Sequence, residues 1–118
     1  MKVSKYDHTM MNKPFQLEAG ILKALAHPIR LKILEKLKDG PCCVCKIIPY
    51  VGGEQSNVSH HLAILKQAGI VRDEKRGTWV WYEVSNPEIF EVIDRLKAYI
   101  RGYLEREGER IKEQLRRR

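Results

Sequence analysis

Residues 55–69, QSNVSHHLAILKQAG, constrain the fold more than any other stretch of the chain. Wound as a helix, they align Val58, Leu62 and Leu65 in a stripe that must be buried. Ser56, Ser59, His60, Ala63 and Lys66 fall on the opposite side. That side is small, hydrogen-bonding and free of acid, whereas a merely solvated helix face usually mixes Glu with Lys. A helix that enters the major groove needs compact donors and acceptors, and no carboxylate facing phosphate. The flanking sequence supplies the context. Residues 42–50 read as a short helix opened by Pro41, and Gly52-Gly53 makes the turn into the next one, so the pair has the helix-turn-helix pattern.

Upstream, residues 14–26 carry Phe15, Leu17, Ile21, Leu22 and Leu25 at helical spacing. His27-Pro28 interrupts that helix, and Pro28 suits the first position of another. This second helix turns Ile29, Ile33, Leu34 and Leu37 inward and stops at Asp39-Gly40. Downstream, residues 70–74 and 79–84 are β-branched and aromatic runs around Lys75-Arg76-Gly77-Thr78, a hairpin with a cationic tip. Trp79 and Trp81 share one strand face and are expected in the core. Ser85, Asn86, Pro87 and Glu88 have the spacing of a helix start with Asn86 as cap. The following helix presents Ile89, Val92, Ile93, Leu96, Tyr99, Ile100 and Tyr103, a stripe that calls for a second copy of the chain to cover it. Residues 1–13 have no period and read as a flexible tail. Residues 105–118 read as a charged, basic extension, leaving 14–104 as the folded domain.

The order of elements is therefore α-α-α-α-β-β-α, mainly helical with a hairpin wing. Across its 118 residues, 22 Lys and Arg against 15 Asp and Glu give a net charge of +7, which favours an anionic partner such as double-stranded DNA. No apolar run is long enough to span a bilayer and no leader pattern opens the chain, so a cytoplasmic protein without membrane contact is expected. Gln55, Ser56, Asn57, Ser59, His60 and Lys66 are the candidates for base or phosphate contact, with Lys75, Arg76 and Thr78 reaching the neighbouring backbone from the hairpin tip. His61, at the edge of the buried face, is expected to pack. The three cysteines, Cys42, Cys43 and Cys45, are odd in number and clustered, which argues for metal, metalloid or redox chemistry and against a disulfide framework. On the first turn of a helix their thiolates would be stabilised. Cys42 and Cys45 would share a face, and joining Cys43 to Cys45 would require distortion. In a redox switch, Cys42 and Cys45 would be the pair.

These motifs in this order resemble the ArsR/SmtB family of winged helix-turn-helix repressors. The resemblance covers residues 16–104 and rests on LAHPIRLKIL (25–34), Cys43-Val44-Cys45, SNVSHHL (56–62) and LKQAGIV (65–71). It implies a homodimer, paired through the first and last helices, that holds a palindromic operator and releases it on binding an inducer. Cys43-Val44-Cys45 is similar to the metal box of the arsenic and cadmium/lead sensors, which implies As(III) or Sb(III) as inducer, held by Cys42, Cys43 and Cys45, and no resident cofactor. Lys46 stands where those sensors commonly have Asp, and Ile48 where some have a further cysteine. The N-terminal cysteines of the cadmium/lead type are absent, and residues 89–104 hold no His for a zinc site of the terminal-helix type. A thiol-based redox switch is the alternative reading of the same cysteines. For a thiol-dependent enzyme, nothing in the sequence marks a triad, a phosphate loop or a substrate cleft.

Overall fold

The computed structural model describes residues 8–117. In chain order they form α1 (His8–Leu25), α2 (Pro28–Leu37), β1 (Cys42–Cys43), α3 (Val44–Val51), α4 (Gln55–Gln67), β2 (Val71–Arg76), β3 (Trp79–Val84) and α5 (Glu88–Arg116). The chain divides into two compact units, one ending at Asn86 and one beginning at Pro87.

In the first unit the helical stripes converge on one apolar centre. Ile33 and Leu34 of α2, Ile47 of α3, and Val58, Leu62 and Leu65 of α4 have no exposed surface, and Leu37 and Val71 are nearly as enclosed. Burying side chains of this size stabilises by about 1.5–3 kcal/mol each before the entropy of ordering them is subtracted. Gly52, at φ +79°, caps α3 in the left-handed conformation and turns the chain into α4, as a residue without Cβ can do at little cost. Gly77, at φ +65°, serves the two-residue hairpin loop between β2 and β3. The antiparallel hairpin pairs Val71 with Val84 through to Arg76 with Trp79, and Arg72 meets Glu83 across it at 2.8 Å.

Several sequence expectations are corrected. The sheet has a third strand in the order β1-β3-β2, with Cys42 opposite Tyr82 and Cys43 opposite Trp81. The cysteine segment therefore enters α3 from a strand: α3 starts at Val44, and only Cys45 lies in its first turn. The first helix begins at His8, ahead of Pro14, so the flexible tail expected over 1–13 is helical from that point, and residues 1–7 lie outside the described residues. Trp79 is exposed, and Trp81 is half-buried. β1 pairs only with Trp81 and Tyr82, so Trp79 lies beyond its end, at the open hairpin tip.

In the second unit, α5 is continuous to Arg116, so the charged extension expected over 105–118 is part of a helix. Ion pairs one turn apart support it: Glu107 with Arg110, Glu109 with Lys112, and Glu113 with both Arg116 and Arg117. Pro87, rather than Asn86, occupies its cap position. No residue of α5 is buried, and Val92, Leu96, Tyr99, Ile100 and Tyr103 remain exposed.

Candidate nucleic-acid interface and thiol pair

The buried stripe of α4 fixes what its other side displays. With Val58, Leu62 and Leu65 enclosed, Gln55, Ser56, Asn57, Ser59, His60, Ala63 and Lys66 are all exposed. No acid lies in the first turn of the helix. The free N–H groups and positive dipole end of that turn are suited to phosphate. Lys66 is also used internally, its Nζ 3.0 Å from the Asp73 carboxylate, which ties the end of α4 to β2.

At the hairpin tip Lys75, Arg76 and Thr78 are exposed as expected. Arg76 donates from Nε to Glu74 at 2.9 Å, and its guanidinium lies 4.6 Å from the centre of the Trp81 ring. Lys75 has no ion pair among the described residues and is the uncommitted cation of the tip. His61 is buried, as its place at the edge of the stripe implied, and is the one buried polar side chain among the described residues. Its Nδ1 lies 3.1 Å from Arg30 Nη1, and its ring packs 4.1 Å from that of His27. Burial chiefly, then the nearby His27, Arg30 and His60, holds its pKa below the ordinary histidine value.

The thiols are arranged differently from the helical-turn expectation. Cys43 is the N-cap of α3 in extended conformation, its Sγ accepting from the Cys45 N–H at 3.1 Å. Because Cys43 stands outside the helix, its sulfur meets that of Cys45 without unwinding α3, and the two are joined as a disulfide with Cα atoms 5.1 Å apart. The pair is thus Cys43 with Cys45, and the expected Cys42–Cys45 pairing does not occur. Cys42 is free and buried, and its Sγ donates to the Cys43 carbonyl. Among the described residues no three Cys, His, Asp or Glu side chains gather as a metal-binding group. Beside the pair lies a cavity of about 190 Å³ lined by Lys36, Asp39, Lys46 and Trp81.

Residues 27–73, which span α2, the helix-turn-helix and the first residues of β2, match the family described as bacterial regulatory protein, arsR family. An HTH-type transcriptional regulator of Methanocaldococcus jannaschii is 45% identical over 80 residues, covering 67% of this chain and 90% of that protein. The chain belongs to the arsR family. The arsenical resistance operon repressor of Escherichia coli is 38% identical over 72 residues, 60% of this chain and 62% of that protein. Among solved structures, Mycobacterium tuberculosis Rv0081 superposes with a TM-score of 0.71 at 32% identity, covering 78% of this chain and 93% of that one. The fold is the winged helix-turn-helix, with α3 and α4 as its helix pair, β2–β3 as its wing, and α4 as its recognition helix. The protein is a DNA-binding transcription regulator and not an enzyme. No helix among the described residues is long and apolar enough to cross a membrane.

Proposed function

We propose that this regulator is a homodimeric repressor that holds a palindromic operator with α4 and its wing, and releases it when Cys43 and Cys45 bind As(III) or Sb(III). The observation that carries this reading is the position of the sulfur pair. It sits at the junction where β1, paired to the wing strand β3, becomes α3, the helix joined by one short turn to α4. A change in how the two sulfurs are tied is thereby felt by both DNA-facing elements. Soft trivalent metalloids favour thiolates, and once a thiol reductant has opened the disulfide with two electrons and two protons, Cys43 and Cys45 form a closely spaced dithiol suited to such a ligand. Cys42 would add a third donor only by leaving its bond to the Cys43 carbonyl. The similarity to an arsenical resistance repressor supports the same inducer class. Dimerisation through α1 and α5 is supported by the apolar surface each displays, with Phe15, Leu17 and Leu22 exposed on α1 and Leu96, Tyr99 and Tyr103 on α5.

The disulfide favours a second reading, in which the same pair is a redox switch. Parallel titrations of operator binding separate the two. In reductant, stoichiometric arsenite should lower the affinity of the native chain and leave Cys43→Ser and Cys45→Ser unaffected. Release by diamide with no arsenite effect would select the redox reading. Equal arsenite release of the native chain and both variants would remove the pair from the mechanism.

A further inference from the structure

The buried polar side chain of the recognition helix, His61, is held by residues assigned neither to DNA nor to an inducer. We infer that Arg30 and His27 of α2 position α4 through His61, and that this lock requires both imidazoles to be neutral, so that acid weakens DNA binding. A guanidinium has only donors, so the 3.1 Å contact from Arg30 Nη1 makes His61 Nδ1 an acceptor, a bare nitrogen on a neutral ring. Arg30 Nη2 donates to the Lys23 carbonyl of α1 at 3.2 Å, so one side chain joins α1, α2 and α4. His27 is bound by the same logic. Its Nδ1 accepts from the Ile29 N–H at 3.0 Å as the N-cap of α2, which a protonated Nδ1 cannot do.

The two rings lie 4.1 Å apart, so a charge on His27 would oppose protonation of His61, and the fixed charge of Arg30 opposes it as well. The groups facing His61 are His27, the cap of α2, Arg30 of α2 and His60 of α4, while among the described residues α1 contributes the Lys23 carbonyl that holds Arg30. No carboxylate stands among them to welcome a proton. A proton on Nδ1 of His61 breaks the bond that ties α4 to Arg30, and a proton on Nδ1 of His27 would remove the acceptor that caps α2. Exposed His60, 5.3 Å from His61, has the opposite sign, because its protonation adds a cation to the DNA face. A loss of affinity in acid therefore belongs to the buried pair.

The test uses the full chain and a duplex selected by it from a random library at pH 8, with affinity read by fluorescence anisotropy at pH 8 and pH 5.5. The Asn side-chain oxygen can stand where Nδ1 stands, so His61→Asn keeps an acceptor for Arg30 that does not titrate. Between the two pH values the native chain should lose more affinity than His61→Asn, by up to about ten-fold, the ceiling for one imidazole of ordinary pKa whose charged form is disfavoured on DNA. Parallel pH profiles would overturn the inference. A measurement on the unaltered chain stands beside it, the imidazole nitrogen spectrum across the same range. Bare Nδ1 on both His61 and His27 at pH 8, with protonation tracking the loss of binding, is the expected result. A protonated Nδ1 on His61 at pH 8, or a loss of binding with no matching titration, would contradict it.

Discussion

The recognition helix and the cysteine segment are near neighbours in sequence and are held by opposite means. α4 is fixed by a continuous buried stripe, with Val58, Leu62 and Leu65 wholly enclosed, by Lys66 on Asp73, and by His61 on Arg30. Apart from Lys66, its outer face therefore carries side chains that can vary without loss of the contacts that hold the helix. The cysteine segment is held by a two-residue strand pairing and by one N–H donated to sulfur. There the same sulfurs that could be tied together or to a ligand also form the local structure. Surface that reads needs a stiff support, and a switch needs contacts that chemistry can alter at modest cost.

Four substitutions test that division, in order of expected effect. Leu62→Ala removes a fully buried anchor beneath the recognition face and should cost about 2–5 kcal/mol of stability, read by denaturant melts. A cost near zero would mean that α4 is not held by its stripe. Ser59→Asp leaves the stripe intact and aims a carboxylate outward, so at least about ten-fold of DNA affinity should be lost with an unchanged melting midpoint. Cys42→Ser alters a buried thiol outside the sulfur pair. It should cost about 1 kcal/mol of stability and preserve the native response to arsenite or oxidant, in contrast to changes at Cys43 or Cys45. Lys75→Ala should have the smallest effect, lowering the dependence of log affinity on log salt by about one while base preference stays the same.

The support also has a pH signature. Folding holds the pKa of His61 below its unfolded value, so the native state keeps the neutral ring while the unfolded chain takes up a proton. Stability should be fully present above about pH 6.5 and fall as the pH drops below it, levelling once the folded ring is protonated as well. Melts of the native chain and His61→Asn at pH 7.5 and pH 5.5 check this, with the larger loss expected for the native chain.

The readability of the sequence follows the same division. α4 was legible because a helical period and an acid-free outer face are written in consecutive residues. The wing was legible because Gly77 and Thr78 sit between β-branched and aromatic runs. β1 was not, since two residues have no period and their partners, Tyr82 and Trp81, lie far along the chain. Missing that strand misplaced Cys43 on a helix and so predicted the wrong sulfur pair. The Arg30–His61 contact, spanning 31 positions, carries no local signal either, and His27 was read only as the break before Pro28, not as the cap of α2. The helical continuation of α5 was present in its Glu–Arg spacing and was outweighed by its charge.

The central claim, that the outer face of α4 meets DNA and the Cys43–Cys45 pair governs that meeting, is tested most directly by crosslinking. A photoreactive group placed at position 59 should attach to operator DNA in the reduced protein and lose that attachment when the sulfur pair is bound by arsenite or oxidised. Undiminished attachment in every state of the sulfurs, or none in the reduced one, would contradict it.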